Sequence, residues 1–215
     1  RSSDLYVNRN VDEDDSVESY TGKIFESAMA SLDQVHHSLD MSAVNRAVDL
    51  LTQAKKIAFF GLGSSAAVAH DAMNKFFRFN VPVIYSDDIV LQRMSCMNCD
   101  DDDVVVIISH TGRTKSLVEL AQLARENDAM VIALTSAGTP LAREATLAIT
   151  LDVPEDTDIY MPMVSRLAQL TVIDVLATGF TLRRGAKFRD NLKRVKEALK
   201  ESRFDKEPFV PSDNQ

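Results

Sequence analysis

The sequence predicts an α/β fold, a five-stranded parallel sheet of order 2-1-3-4-5 with helices on both faces and extra helices at the N- and C-terminal ends. Its predicted strands are apolar throughout, which is typical of strands that are buried on both faces. They alternate with segments of helical periodicity, as strands joined by crossover helices do. The 215 residues, 45% of them hydrophobic, are enough for one such three-layer domain with its own core.

Each element follows from the local pattern of apolar residues and turn signals. Segment 17–39 has apolar residues at helical spacing, and Ser42 is the predicted N-cap of a second helix. A short apolar run ended by Gly-x-Gly predicts the first strand, and Pro82 stands near the start of the second, where its missing N–H matters least. The predicted strands are 57–60, 81–85, 104–108, 130–134 and 147–151, and the predicted helices are 17–39, 42–51, 65–79, 87–97, 114–127, 140–145, 161–180 and 186–202.

Polar segments flank the predicted domain. Residues 1–16 have the composition of a linker, and a chain that starts at Arg1 without methionine is expected to continue a longer protein. The tail, residues 204–215, is polar, contains proline and is predicted to be loose. The folded domain is therefore expected to span residues 17–203.

Composition argues against several classes of function. A formal net charge of −8 is unlike a nucleic-acid-binding domain, which usually carries a basic face. No apolar run reaches the roughly 18 residues of a membrane span. Cys96 and Cys99 lack the two further ligands of a zinc site, and we expect them to be reduced thiols. The sequence thus predicts a cytoplasmic protein without membrane contact, metal or cofactor.

Two polar loops follow strands 1 and 3, which flank the place where the predicted sheet reverses direction. GLGSSAAVA, residues 61–69, follows strand 1, and SHTGRT, residues 109–114, follows strand 3. Ligands of such sheets bind at the carboxyl ends of these two strands. Each loop also opens a helix, whose first N–H groups and dipole attract an anion. The sequence therefore predicts an anionic small-molecule site, with candidate ligand-binding residues Gly63, Ser64, Ser65, Ser109, His110, Thr111, Gly112, Arg113 and Thr114.

Several of these residues have ordinary alternative roles. Ser65 and Thr114 are also suited to be N-caps, and His110 to be a satisfied loop histidine. Lys115 fits a solvated position at a helix start. GLGSSA further matches the dinucleotide fingerprint G-x-G-x-x-A, with Asp87 placed for a ribose hydroxyl. The dinucleotide interpretation is weaker, because the spacing to the aspartate exceeds the usual roughly 20 residues and the second loop stays unexplained.

The pair of loops resembles the sugar isomerase (SIS) domain, whose pattern is G-x-G-x-S after strand 1 and S-x-[ST]-G-x-[ST] after strand 3. Here the two motifs are residues 61–65 and 109–114, and the resemblance extends over about residues 42–202. It implies a flavodoxin-like three-layer sandwich that binds phosphorylated sugars, with the second loop around the phosphate. Carried over by position, the phosphate and sugar contacts are Ser65, Ser109, Thr111 and Thr114.

The segment PMVSRLAQLTVIDVLATGF, residues 162–180, resembles the sensor branch of this family, the RpiR transcriptional regulators of bacteria. The resemblance implies the effector-sensing part of a repressor of hexose metabolism. An N-terminal helix-turn-helix domain, absent from this sequence, would make the DNA contacts. The implied effector is a phosphorylated sugar acid, 2-keto-3-deoxy-6-phosphogluconate. We expect Arg166 to meet its carboxylate, and a surface or interface salt bridge is the alternative role for this arginine.

SIS domains usually dimerise, so the resemblance also implies a homodimer or a higher homo-oligomer. The apolar helix 167–177 is the candidate interface, and helix 17–39 is expected to pack on a partner subunit. The alternative is that both helices only cover their own sheet.

An isomerase is the competing interpretation, because SIS domains also occur in aldose–ketose isomerases. Isomerisation requires a base of tuned pKa to move a proton between adjacent carbons. SIS isomerases commonly place a His-Gly segment with acidic neighbours after strand 2, where this chain has YSDDIVLQRMSCMN, residues 85–98, without histidine. His70, His110 and Glu144 remain as candidate bases, none with a visible partner. The sequence therefore favours a sensor without catalytic residues.

Overall fold

A computed structural model describes residues 11–12, 14–153, 155 and 163–200, and it contains the predicted parallel sheet. Five strands lie in the order β2-β1-β3-β4-β5, and all four neighbouring pairs are parallel. The strands are β1 (Lys56–Gly61), β2 (Val83–Tyr85), β3 (Asp103–Ile108), β4 (Met130–Thr135) and β5 (Leu147–Thr150). The helices are α1 (Val17–Ser38), α2 (Met41–Gln53), α3 (Ser64–Phe76), α4 (Ile89–Met97), α5 (Lys115–Glu126), α6 (Pro140–Glu144) and α7 (Val164–Lys200). The predicted fold class is confirmed.

Helices cover both faces of the sheet because successive residues of a strand point to opposite sides. Every residue of β3 is buried. Val104, Val106 and Ile108 join a core with α2, α3 and α7, whereas Val105 and Ile107 join a second core with α4, α5 and α6. A strand between two cores needs apolar residues at every position, which is the continuous apolar run that the sequence shows.

Helix boundaries differ from the predicted ones by up to three residues, and two of these differences are informative. Asp40 caps α2, since its Oδ1 accepts the N–H groups of Ser42 at 2.8 Å and Ala43 at 3.2 Å. Ser42 lies inside the helix, so its predicted capping role is wrong. A carboxylate is the better cap here because it also interacts favourably with the positive end of the helix dipole. The predicted helix 65–79 ends as α3 at Phe76, and a short 3-10 turn, Phe77–Phe79, follows.

α7 covers residues 164–200 of the two predicted C-terminal helices, whose outer ends at 161–162 and 201–202 lie outside the described residues. They meet at Gly185, whose φ of 76° and ψ of −166° are not helical. Glycine adopts a positive φ at little cost, so the chain changes direction there. Phe180 and Phe188, on either side of this break, pack around Phe79, with ring centroids 5.0 Å and 5.7 Å from it.

The apolar face of the 167–177 segment is used mainly within its own subunit. Its nearly inaccessible side chains, which pack on the sheet, are Ala168, Val172, Ile173 and Leu176. Leu167 and Val175 each keep 39% of their surface exposed. Covering its own sheet is therefore the main role of this helix, and its part in a subunit interface stays a prediction.

α1 packs against α7 and leaves an apolar stripe in solvent. Ile24, Phe25 and Met29 are 42%, 66% and 61% exposed. The packing of α1 on a partner subunit also stays a prediction, and the stripe is consistent with it.

The described part of the predicted linker is fixed to the start of α1. Lys23 forms ion pairs with Asp12 at 2.9 Å and Asp15 at 2.5 Å, and Ser16 caps the helix. Residues 1–10 of that linker and the predicted tail from residue 204 lie outside the described residues. Among the described helices, none combines the length and the apolar character needed to cross a membrane.

Candidate functional site

The two polar loops begin side by side at one edge of the sheet. Gly61, the last residue of β1, is paired in parallel register with Ile108, the last residue of β3. The loop after β1 leads to α3 at Ser64, and the loop after β3 leads to α5 at Lys115. The structure therefore brings the residues of both motifs to the same crevice, as the strand order predicted.

The loop after β1 depends on two glycines. Gly63 has φ 59° and ψ −130° and is the N-cap of α3, without a side-chain bond to the helix. A Cβ on Gly61 would lie 2.6 Å from the main-chain oxygen of Ser65, so only glycine fits there. The interpretation of Ser65 as a simple N-cap is wrong, because this buried serine lies one residue inside α3. Ser64 is half-buried.

The loop after β3 is stabilised by a hydrogen bond within the loop and by contacts with the loop after β4. Ser109 is buried, and its Oγ accepts the Gly112 N–H at 3.3 Å. Gly112 has φ 58° and packs against the hydroxyls of Thr135 and Thr139. The main-chain oxygen of His110 accepts two hydrogen bonds from one serine of the loop after β4, Ser136 N–H at 3.1 Å and Ser136 Oγ at 2.9 Å. The backbone around Thr111 is thus fixed on both sides.

The start of α5 is open to solvent. Thr114 occupies the N-cap position, but its hydroxyl makes no capping bond to the helix. Arg113, Thr114 and Lys115 are exposed, whereas Thr111 is half-buried. Neither Arg113 nor Lys115 forms an ion pair within the described part of the chain. The loop therefore presents a free hydroxyl and two free cations at a helix N-terminus.

His110 contributes a neutral imidazole. Burial lowers its pKa, and the nearby carboxylates of Glu155 and Asp152 oppose this shift only in part. The ring makes no hydrogen bond to any described residue. With respect to the described residues, its ring nitrogens can therefore donate or accept a hydrogen bond.

Glu155 closes the N-terminus of α7. Its Oε1 accepts the N–H groups of Met163 at 2.6 Å and Val164 at 2.8 Å, and its Oε2 accepts the N–H and the hydroxyl of Ser165. Burial acts to raise the pKa of Glu155, but the Ser165 hydroxyl and the three N–H donors outweigh it, so the pKa is lowered. Arg166, in the same first turn, is exposed and forms no ion pair with a described residue. Both roles predicted for it, contact with an effector carboxylate and a surface or interface salt bridge, therefore stay predictions.

Sequence reasoning missed four residues that shape this crevice: Gln92, Thr135, Thr139 and Glu155. The threonine before Pro140 carried a usable signal, since Thr-Pro is a common helix start. It caps α6 through the Ala142 N–H at 3.3 Å. The other three act through contacts that are distant in sequence, and no local pattern marks them.

The residues considered for other chemistry do not form an active site. His70 stacks on Tyr85, with ring centroids 4.8 Å apart, and has no carboxylate partner within the described ranges. Glu144 ends α6, which leads to the start of β5 and so lies at the opposite edge of the sheet from the crevice. Asp87 is exposed, and the cap of α4 is its neighbour Asp88.

The two cysteines have raised thiol pKa values, which disfavours the thiolate form. Burial raises the pKa of Cys96 to about 12 and also raises that of Cys99. Both are free in the structure. Among the described residues, groups of three potential metal ligands occur only on exposed surface away from the two loops, at 33, 36 and 37 and at 100–102.

Comparison with known proteins agrees with this geometry. The SIS domain profile matches residues 50–179. The HTH-type transcriptional regulator HexR of Escherichia coli K12 is 91% identical over 210 residues, which are 98% of this chain and 73% of that protein. HexR of Pseudomonas aeruginosa is 56% identical over 203 residues, 94% of this chain and 71% of that protein. The Vibrio vulnificus NanR protein, solved in complex with ManNAc-6P, has a TM-score of 0.80 at 24% identity, covering 87% of this chain and 71% of that one.

A parallel sheet of this order with two hydroxyl-rich loops at its switch point defines a SIS-type domain. The chain belongs to the SIS domain family and to its HexR-like transcriptional regulators. The resemblance inferred from the two loops and the 162–180 segment is confirmed. So is the preference for a regulator over an isomerase, because these close relatives are transcriptional regulators.

The loop after β3 allows a test of its packing with two glycines of similar backbone. Gly112→Ala and Gly138→Ala each force alanine into a positive φ, 58° and 68°. That strain costs about 1 kcal/mol in both variants. Only at Gly112 would the new Cβ also overlap Thr139 Oγ1 and lie 2.5 Å from Thr135 Oγ1. We expect Gly112→Ala to lose a further ~1–3 kcal/mol of unfolding free energy, measured by urea denaturation. Equal losses of unfolding free energy in the two variants would show that the loop accommodates the new Cβ without a packing cost.

Proposed function

We propose that this domain senses a phosphorylated sugar acid, 2-keto-3-deoxy-6-phosphogluconate, and couples its binding to release of DNA by the full-length regulator. One observation carries the proposal. The two helices that start at the crevice, α3 and α5, have no side-chain cap. α1, α2, α4 and α6 are each capped by a side chain of the residue before them, Ser16, Asp40, Asp88 and Thr139.

The phosphate is proposed to lie between these two helix starts. The N–H groups of Ser65, Ala66 and Leu117 already donate to main-chain oxygens at the helix starts. The proposed attraction therefore rests on the N–H groups that precede them and on the positive ends of the two helix dipoles. Ser109 and Thr111 would add hydroxyl donors, and Arg113 and Lys115 positive charge. Because the chain carries a net charge of −8, this patch must act locally against the overall field.

The carboxylate of the effector is proposed to meet Arg166. This side chain is exposed and has no ion pair within the described chain, so its charge is free. The alternative anion site at the start of α7 is already filled by Glu155. A second carboxylate would be repelled there. Because Arg113 and Lys115 lie in the loop proposed for the phosphate, Arg166 is the proposed partner of the carboxylate.

Similar proteins support a phosphosugar ligand. NanR was solved with ManNAc-6P, and the HexR relatives are transcriptional regulators. The sugar acid itself is inferred from the family resemblance and from the free cation at Arg166.

Coupling to DNA requires that the crevice influence α1, the described helix nearest the N-terminus. Gln34 of α1 donates from Nε2 to the main-chain oxygen of Asp152 at 2.9 Å. Asp152 Oδ1 accepts the Ala137 N–H at 3.0 Å, in the loop after β4 that also holds His110. A change in the loop after β3 can therefore reach α1 through three hydrogen bonds, between His110 and Ser136, between Ala137 and Asp152, and between Asp152 and Gln34.

The phosphate contacts are tested by removing hydroxyls. We expect Ser109→Ala and Thr111→Ala each to weaken effector binding by roughly 1.5–3 kcal/mol, about ten- to a hundredfold, because each removes a hydrogen bond to a charged group. Titration calorimetry measures this. Thr52→Ala on α2 is the control, since its hydroxyl bonds to Val48 O within the helix. Unchanged affinity in the double variant would place the phosphate elsewhere.

The carboxylate contact is tested with Arg166→Gln. We expect this variant to lower affinity for the sugar acid by at most ~1 kcal/mol, the worth of one surface ion pair in water. Binding of fructose 6-phosphate, which has a phosphate but no carboxylate, should stay within about twofold. Calorimetry with both ligands on both proteins gives the comparison. A similar loss for the two ligands would mean that the arginine binds phosphate or supports the fold.

The coupling is tested in the full-length regulator by linkage. If the effector weakens operator binding a hundredfold, the coupling free energy is about 2.7 kcal/mol, and operator DNA must weaken effector binding by the same factor. We expect effector affinity, measured by calorimetry with and without saturating operator, to differ accordingly. Identical affinities would rule out derepression by this site.

A further inference from the structure

Gln92 of α4 is a fully buried polar side chain next to the crevice. Its Nε2 donates to Gly61 O at 3.2 Å and to Ser86 O at 2.7 Å. Its Oε1 is buried and has no partner in the described part of the chain. A buried carbonyl oxygen without a donor is unfavourable, so this arrangement needs a physical reason.

The two acceptors dictate the orientation of the amide. Both are main-chain carbonyl oxygens, so only the NH₂ group of the amide suits them. The reverse orientation would place the amide oxygen against both acceptors. The NH₂ group of Gln92 therefore satisfies the main-chain oxygens of Gly61 and Ser86, and its own Oε1 is left unpaired.

Both carbonyls belong to strand ends that border the crevice. Gly61 ends β1 opposite Ile108, and Ser86 directly follows the last residue of β2. Gly61 is also pressed against the first turn of α3, where a Cβ would lie 2.6 Å from Ser65 O. A shift of Gly61 would therefore move the start of α3 relative to the start of α5.

We propose that Gln92 is a positioning residue of the phosphosugar site. It acts through Gly61, holding the end of β1 so that the start of α3 stays aligned with the loop that begins at Ser109. The inference rests on the proposed function, because alignment of the two helix starts matters only if one anion binds both.

The first test compares Gln92→Met with Ser95→Ala. Methionine keeps the length of the side chain and removes the amide. Ser95 lies one turn further along α4, and its Oγ is likewise buried without a partner. It bonds to neither loop carbonyl, so its loss is the matched control.

Calorimetry with 2-keto-3-deoxy-6-phosphogluconate, at a temperature where circular dichroism shows all proteins folded, gives the affinities. We expect Gln92→Met to bind about tenfold more weakly than wild type, and Ser95→Ala to bind like wild type. Wild-type affinity in Gln92→Met would overturn the inference alone. A wild-type protein that does not bind the ligand would overturn the proposed function, and the inference with it.

A second variant separates positioning from a general loss of packing. The carboxyl introduced by Gln92→Glu donates one hydrogen bond when protonated and none when ionised, and burial raises its pKa. For each pH we take the ratio of the affinity of Gln92→Glu to that of wild type. We expect this ratio to rise as the pH is lowered from about 8.5 to about 5.5, because the carboxyl is then protonated. The division removes the effect of phosphate ionisation. If this affinity ratio does not change with pH and is no higher than the corresponding ratio for Gln92→Met, the inference is overturned.

Discussion

The parallel pairing of β1 with β3 is the constraint on which the crevice depends. A parallel strand must be followed by a crossover, and here each crossover is a helix that starts at the carboxyl edge of the sheet. From β1 the chain crosses to β2, and from β3 it crosses to β4, in opposite directions. Because such crossovers are right-handed, α3 and α5 lie on opposite faces, as their separate cores show. Their N-termini approach one point from both sides, and a gap is left between them.

Helix capping turns this gap into an electropositive site on an acidic chain. Most of the other described helices use a serine, threonine or aspartate to satisfy their first N–H groups, and α7 uses Glu155, which is distant from it in sequence. The N-cap residues of the two helices at the crevice are Gly63, which has no side chain, and Thr114, whose hydroxyl makes no bond to the helix. Each uncapped start keeps its share of roughly half a positive charge available to a ligand. Because the chain has a net charge of −8, an anion is attracted only where such donors are concentrated.

Sequence patterns predicted the sheet well and the fine structure of the site poorly. Five apolar runs mark the strands, most clearly β1, β3 and β4, which lie between the two cores, and this signal is local. Capping residues are less certain, since Asp40 and Ser42 both suit a helix start and geometry decides between them. The support of the crevice is not local at all. Gln92 reaches Gly61 over 31 positions, and Ser136 reaches His110 over 26. Only the folded chain brings such pairs together.

The same supports define which part of the domain can respond to a ligand. The central strands β1, β3 and β4 are buried on both faces and cannot shift without disturbing close-packed cores. α1 is different, because of its 22 residues only Ser31 and Val35 are buried, and its apolar stripe faces solvent. Few contacts hold it, so moving it costs less than moving any central element. Its bond from Gln34 to Asp152 joins it to the loop after β5. Asp152 is bonded in turn to the loop after β4, whose Ser136 holds His110 in the loop after β3. If the proposed effector closes the crevice, we expect α1 to tilt while the central strands stay fixed.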